Sequence, residues 1–477
     1  MSLITRLSEK YQSFSAPVKA SFWFLMCSLF QSFLSLITTP FFTRAMSQDE
    51  YGVFVQYSSW LAIMNILVTL NLSSETFIKQ LTENEDNEKT LLSSMLGLNI
   101  SLFLGYFFLY LLFPTSVAGL LNLTPALLRM LLLQLFVVPS FEYWKNKERC
   151  HFRYRLSSVI SIGISVIGYA LSIWGVLNLS NKVEARVGGE LLIKTIIGVI
   201  FIFIIFKDGK KFFDREIWKF SLKYSLPLIP HYLSNIVLNQ SDRLMIGRMV
   251  GDSAAAKYGI AYMISSMVWL VVSATNSSFI PYSFRKLKDH KENEIRKNAN
   301  KLLIMIALLC LLATALAPEI IRFFAASNYS DTVYVVPPIA AAEFFIFVFT
   351  LFSDVEYFYK KTKWIGIATG IAAILNIILN YCFIPRFSYY AAGYTTLVSY
   401  IILSLLHYIA YRRICKENNI TDVYDIRAIL QLSLAVLLMT GLFIFTLDIA
   451  WVRYSIAIIS LVIAFVVYKK GEINLSD

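Results

Sequence analysis

The chain has 477 residues, of which 57% are hydrophobic and 15% aromatic, and its formal net charge is +12. A mean hydropathy of +0.62 excludes an ordinary soluble globular protein. It also removes the usual reason to connect a basic chain with nucleic acid, and none is expected as a partner; the position of the charges along the chain is what carries information.

In chain order, Leu3, Leu7, Tyr11 and Phe14 recur at helical spacing among Arg6, Glu9 and Lys10, which predicts an amphipathic helix over 1–19 lying in a membrane interface. Apolar stretches then predict spans near 20–40, 52–73, 91–113, 124–141, 157–177, 187–206, 224–247, 258–280, 302–321, 333–354, 364–384, 390–410, 428–446 and 453–468. Roughly twenty apolar residues suffice for a helix to cross about 30 Å of hydrocarbon. The expected fold is therefore all-α and polytopic, with about fourteen transmembrane helices, or twelve if the last pair is dropped. The first span is too long for a signal-peptide core and reads as a retained helix. With the N-terminus in the cytoplasm, the inner segments hold 32 of the 43 Lys and Arg, and the outer loops with the boundary residue Arg453 hold eight, among them Arg44, Lys257, Arg322 and Arg386. The positive-inside rule thus puts both termini in the cytoplasm. Arg129, Lys194 and Arg243 remain inside spans.

The five cysteines are scattered and form no CxxC, so they read as structural thiols and no metal site is expected. No GxxxxGK[ST], HExxH or GxSxG is present, and the outer loops are short. An enzyme or an ATP-driven pump lacks its usual equipment; no catalytic residue and no cofactor are assigned.

Polar side chains inside spans are the informative ones, because each is costly against lipid and belongs in a protein interior or a wet cavity. In the seventh span His231, Asn235, Asn239 and Asp242 fall within about 80° of one another, with Arg243 about 80° from Asn235. Pro227 and Pro230 enter this helix in its first turns, where they should kink or loosen it. Gln31, Ser35 and Thr38 share a face of the first span, and Glu343, Thr350 and Asp354 share one of the tenth. Glu343 is either a proton or sodium site or half of a salt bridge to Lys194 or another interior base. Glu190 and Lys194 are spaced for an intrahelical pair, and Arg129 is placed to snorkel outward. In the eleventh span Gly366, Gly370, Ala373, Asn376 and Asn380 make a face of small residues and amides, a packing surface first and a ligand surface second.

After the first span the chain reads Arg44 to Tyr51-Gly52, and after the seventh Arg248 to Tyr258-Gly259. This echo, six helices apart, implies two parallel repeats with the ligand site between them: a lobe over 20–206, a cytoplasmic linker over 207–223, a second lobe over 224–410, and two further helices with a tail over 411–477.

Three stretches, TPFFTRAMSQDEYG at 39–52, SLPLIPHYLSNIVLNQSDRLMIGRMVGDSAAAKYG at 225–259 and TKWIGIATGIAAILNIILNYCFIPRFSYYAAGYTTLVSY at 362–400, resemble the Wzx-type polysaccharide flippases of the multidrug/oligosaccharidyl-lipid/polysaccharide exporter superfamily. The third departs slightly, with Arg386-Phe387-Ser388 where such proteins often carry a glycine after the aromatic residue. The resemblance implies two six-helix lobes around a central cavity and a substrate of oligosaccharide linked through pyrophosphate to undecaprenol, moved outward across a bacterial inner membrane for O-antigen, capsule or exopolysaccharide. Membrane lipid is then a partner, polysaccharide polymerase and chain-length machinery are candidates, and a monomer is sufficient. Such a head group needs positive charge for its phosphates and amides for its sugars. On that reading Arg243 and Lys194, with Arg44 and Arg248 at the outer mouth, are assigned to pyrophosphate, and Gln31, Asn235, Asn239 and Asn376 to sugar. Coupling to protons or sodium ions falls to Glu343, Asp242 or Asp354. A multidrug/cation antiporter or peptidoglycan-precursor flippase of the same fold, and a membrane polysaccharide polymerase, are the alternatives.

Overall fold

The computed structural model describes residues 15–418, 420 and 422–467, and the predicted interfacial helix over 1–19 lies largely outside them. Every regular element among the described residues is helical: α1 (Ala16–Ala45), α2 (Gln48–Thr69), α3 (Glu75–Glu83), α4 (Glu88–Leu112), α5 (Pro114–Leu121), α6 (Pro125–Cys150), α7 (Tyr154–Asn178), α8 (Lys182–Gly209), α9 (Arg215–Ser225), α10 (Ile229–Met249), α11 (Asp252–Lys288), α12 (Glu292–Ala315), α13 (Ala317–Phe324), α14 (Val336–Phe358), α15 (Lys363–Glu417), α16 (Ile426–Thr446) and α17 (Ala450–Val467), with short 3-10 turns between some of them. Among the described residues, 11 helices are long and apolar enough to cross a membrane. Contacts divide the chain into two compact units, 1–233 and 234–477.

In the first unit α8 is the hub, packed against α2, α4, α6 and α7. Glycine makes that closeness attainable: a Cβ on Gly189 would lie 2.2 Å from the Ser172 backbone nitrogen, and one on Gly198 2.5 Å from the Val137 carbonyl oxygen. Ser140 fastens the same crossing by donating to the Gly198 carbonyl at 2.8 Å. The segments predicted only as cytoplasmic connections contain two amphipathic helices, α3 and α9, which pack on one another. Gln80 donates to Ser221 Oγ at 2.7 Å, and the Thr76 and Ser225 hydroxyls meet at 2.6 Å. Short polar stretches of this kind escape a search for twenty-residue apolar runs. Pro227 lies in a 3-10 turn over Leu226–Leu228, after which the helix restarts at Ile229, so the two prolines loosen the start of the seventh span as expected.

In the second unit α14 is enclosed on all sides by α11, α12, α15 and α16; the apolar window that contains it is 89% buried, against 11% for α1. At 55 residues α15 is two membrane-length arms rather than one helix: Ser388, with φ 58° and ψ −158°, breaks it. This is a glycine-like conformation held by a residue with a Cβ, at a cost of about 1–3 kcal/mol. The serine that departs from the family pattern therefore stands at a single-residue hinge, where a longer loop was expected.

The short helix α13 carries Glu319, which binds Arg453 of α17 through both guanidinium nitrogens at 2.9 Å and accepts from the Tyr454 hydroxyl at 2.8 Å. The Arg453 hydrogen bonds hold the Glu319 carboxyl at about 2, below its usual 4.5. A depressed carboxylate pKa stabilises above the ordinary value and ceases to do so as pH falls through the folded one. The tie between α13 and α17 is thus expected to be complete above about pH 4.5 and lost towards pH 2. Hydrogen exchange of 450–467 should accelerate over that window, and Glu319→Gln should make exchange fast and insensitive to it; exchange that does not change with acid would refute the assignment.

Candidate functional site

Two polar clusters lie inside the bundles, one in each unit. In the second, four elements converge on Asp242, a buried residue of α10. Its carboxylate accepts from Tyr258 Oη of α11 at 2.6 Å, from Thr396 Oγ1 at 2.7 Å and from Asn380 Nδ2 at 2.5 Å, the last two on opposite arms of α15. Asn380 also donates to Asn376 Oδ1 at 3.0 Å and accepts from Thr395, while Ser241 donates to Asn376 Oδ1 at 3.3 Å. The Asn376 amide nitrogen is buried without a partner. The carboxylate is met by hydroxyls and an amide, with no base bonded to it among the described residues. Carboxylate, amide and hydroxyl oxygens are hard donors of the type that suits a small cation; no cluster of three or more His, Cys, Asp or Glu occurs among the described residues.

One turn away on α10, Asn239 accepts from the hydroxyls of Tyr262 at 3.0 Å and Tyr400 at 3.1 Å and donates to Asn235 Oδ1 at 3.0 Å. Asn235 is exposed. The half-buried Arg243 guanidinium lies over the Tyr262 ring at 4.2 Å and donates to Gln240 and to the Asn239 carbonyl. Arg243 makes no ion pair among the described residues, so its charge is shared only with neutral oxygens and a ring face. The predicted stripe of α10 is therefore buried at Asp242 and exposed at Asn235, with Arg243 half-buried next to Asp242.

Glu343 and Asp354, both on α14, are buried, and each keeps one carboxylate oxygen without a hydrogen-bond partner. Neither has an ion pair among the described residues. Tyr262 and Tyr400 lie within electrostatic reach of Glu343. Near the C-terminal end of the same helix Glu356 meets His407 Nδ1 at 2.6 Å, with both side chains fully buried. The sequence reading did not select this pair: the partners are 51 residues apart, and each is an isolated polar residue in an apolar stretch.

In the first unit Glu190 of α8 binds Lys194 at 3.0 Å, as its spacing predicted, and also Arg186 at 2.5 Å. Arg186 was expected outside the membrane, since its helix was begun at residue 187. The helix begins instead at Lys182, and Arg186 is buried beneath the rings of Phe42 at 4.2 Å, Phe54 at 4.5 Å and Tyr169 at 5.0 Å. Two cations on one carboxylate leave the triad with surplus positive charge. Gln31 donates to Ser165 Oγ at 2.9 Å and to the Ser161 carbonyl at 3.2 Å, so its amide nitrogen is committed to joining α1 with α7. Arg44 and Arg248 are exposed in the last turns of α1 and α10. Each is followed by three residues and a new helix carrying the echoed tyrosine, and the three extra residues of the second copy lie inside α11. Arg129 is exposed, as its place in the span suggested.

Residues 18–287, more than half of the chain, match a family described as polysaccharide biosynthesis protein, and 227–382 match the MatE family. The bundle and these matches define a multi-pass membrane transporter of the multidrug/oligosaccharidyl-lipid/polysaccharide superfamily. Within it, the chain belongs to the polysaccharide biosynthesis protein family. It is 19% identical over 373 residues to a protein of the Lsg locus of Haemophilus influenzae, covering 75% of this chain and 89% of that one. The fold is similar to that of the lipid II flippase MurJ in an inward closed conformation, with a TM-score of 0.68, 16% identity and coverage of 96% of this chain and 100% of the other. It is also similar to an inward-facing multidrug resistance transporter of the MATE family, with a TM-score of 0.63, 13% identity and coverage of 82% and 96%.

Proposed function

We propose that the protein moves an undecaprenyl-pyrophosphate-linked oligosaccharide from the inner to the outer leaflet of a bacterial cytoplasmic membrane, by alternating access, to supply O-antigen, capsule or exopolysaccharide. On this reading there are fourteen spans: the eleven apolar helices with α15 counted twice, together with α10 and α17. They form two six-helix lobes and a C-terminal pair, with both termini in the cytoplasm. A monomer suffices, and a polysaccharide polymerase with its chain-length machinery takes the product.

The observation that carries the reading is Arg243, a half-buried guanidinium without an ion-pair partner among the described residues, which lies over the Tyr262 ring one turn from the amide of Asn239. An uncommitted cation next to amides suits an anionic, hydroxylated head group, and a cationic drug would be repelled there. The surplus charge around Lys194 supports the same reading; Asn239 and Asn376 are the further amides, and Arg44 and Arg248 stand at the outer ends of their helices. Asp242, in its shell of neutral oxygens, is assigned to the coupling cation, a proton or sodium ion, with Glu343 and Asp354 as further carriers. Those two carboxylates, which have no ion pair among the described residues, also favour a second reading, a cation antiporter of the same fold.

Leaflet accessibility of labelled lipid-linked sugar in inverted vesicles separates the two. Sugar should become protected from added lectin with the wild-type protein and stay exposed with Arg243→Ala. Equal protection with wild-type, variant and no protein would refute the flippase reading, and dye efflux lost with Glu343→Gln would establish the antiporter.

A further inference from the structure

Outside that cluster, the first unit holds a second polar hollow, a cavity of about 370 Å³ between α2 and α6, within the roughly 300–1,000 Å³ typical of small-molecule sites. Its wall is unlike the surrounding bundle. Ser58 and Asn65 of α2, Asn71 of the following turn, and Gln134, Glu142 and Asn146 of α6 all face it. Helix α2 stops because Leu70 and Asn71 adopt left-handed backbone angles, φ 49° and 51°, which turns the Asn71 amide into the wall.

Several of these groups are held in place while keeping hydrogen-bonding capacity. Asn146 donates to the Ser73 carbonyl at 2.8 Å, which orients its amide and leaves its oxygen as an acceptor. Gln134 Oε1 accepts from the Tyr57 hydroxyl at 3.3 Å, leaving its amide nitrogen as a donor. Glu142, the one acidic group in the wall, is bound by Lys145 at 2.6 Å. No Lys or Arg lines the cavity. Amides and hydroxyls that present donors and acceptors together, without net charge, complement a neutral polyol and offer nothing to a phosphate. Both helices run inward here, so the hollow occupies the inner half of the membrane in the orientation set by the basic loops.

We propose that this hollow is a subsite for an uncharged sugar residue of the transported head group, engaged from the cytoplasmic side. The assignment rests on the transport reading above, and it separates sugar recognition in the first unit from the charged group at Arg243.

The test is saturation-transfer NMR on the full-length protein in lipid nanodiscs, with glucose, galactose and N-acetylglucosamine as probes and with pyrophosphate and ethidium as competitors. At least one sugar should give a signal that falls about tenfold in Asn65→Leu/Asn146→Leu, as expected for two lost hydrogen bonds. The signal should survive in Asn65→Gln, which keeps the amide, and in the presence of pyrophosphate. A sugar signal unchanged in the double variant overturns the proposal, as does a sugar signal abolished by pyrophosphate. Absence of sugar binding in a protein that still protects lipid-linked sugar in vesicles refutes the subsite and leaves the transport reading standing. Sugar binding lost in the double variant, in a protein that fails the vesicle assay, supports the subsite and refutes the transport reading.

Discussion

Replacing Asp242 by asparagine is expected to reduce ion-dependent translocation by about 5–150-fold, the range spanned by ordinary coupling free energies. Asp242 accepts from Tyr258, Thr396 and Asn380 at once, and those donors come from helices that must separate if α10 or α15 moves. Among the described residues no base is hydrogen-bonded to the carboxylate. Asparagine keeps one acceptor but adds an N–H that must face the donors already present, so about 1–3 kcal/mol of stability should also be lost. Thr396→Val removes a single donor and should have the smaller effect on both measures. Translocation measured against sodium concentration and pH decides the matter: a variant that folds and keeps both its rate and its ion dependence would exclude Asp242 from coupling.

Glu190→Gln should destabilise the protein by about 3–5 kcal/mol, because removing one partner of a buried charge group leaves the others uncompensated. Arg186 is buried beneath Phe42, Phe54 and Tyr169, so its charge is the one left most poorly compensated. By contrast, Arg186→Met/Glu190→Met/Lys194→Met removes all three charges and should unfold within a few degrees of the wild type or above it, since apolar replacement of a whole buried ionic group is often neutral or stabilising. Thermal unfolding followed by tryptophan fluorescence gives both results. A Glu190→Gln midpoint equal to the wild type would show that the triad is solvated. The triple variant should still lose transport if the surplus charge at Lys194 serves the pyrophosphate.

Much of the second cluster could be read from α10 because its polar residues repeat at helical spacing: Asn235, Asn239 and Asp242 share a face whatever the helix packs against. The same regularity exposed the pairing of Glu190 with Lys194 and the amide face of Asn376 and Asn380. Arg186 was missed because hydropathy locates a span only to within a turn, and a single turn decides whether an arginine lies in a loop or under three aromatic rings. Glu356 and His407, like the hollow between α2 and α6, gave no local pattern. Their partners are far apart in sequence, and only packing brings them together. Gln31 illustrates the opposite case, an amide on a polar face whose partners belong to a neighbouring helix.

The all-α character, the position of most apolar stretches and the polar faces of individual helices were determined by sequence alone. Each is a local property: burial of apolar side chains in hydrocarbon and the cost of an unsatisfied backbone there act on one segment at a time. Which helix became the enclosed centre of each unit, which carboxylates acquired donors and which were left without a base, was decided by tertiary structure. Those outcomes depend on the distance between groups on different helices, and electrostatic and hydrogen-bond energies change steeply over the few ångströms that packing sets.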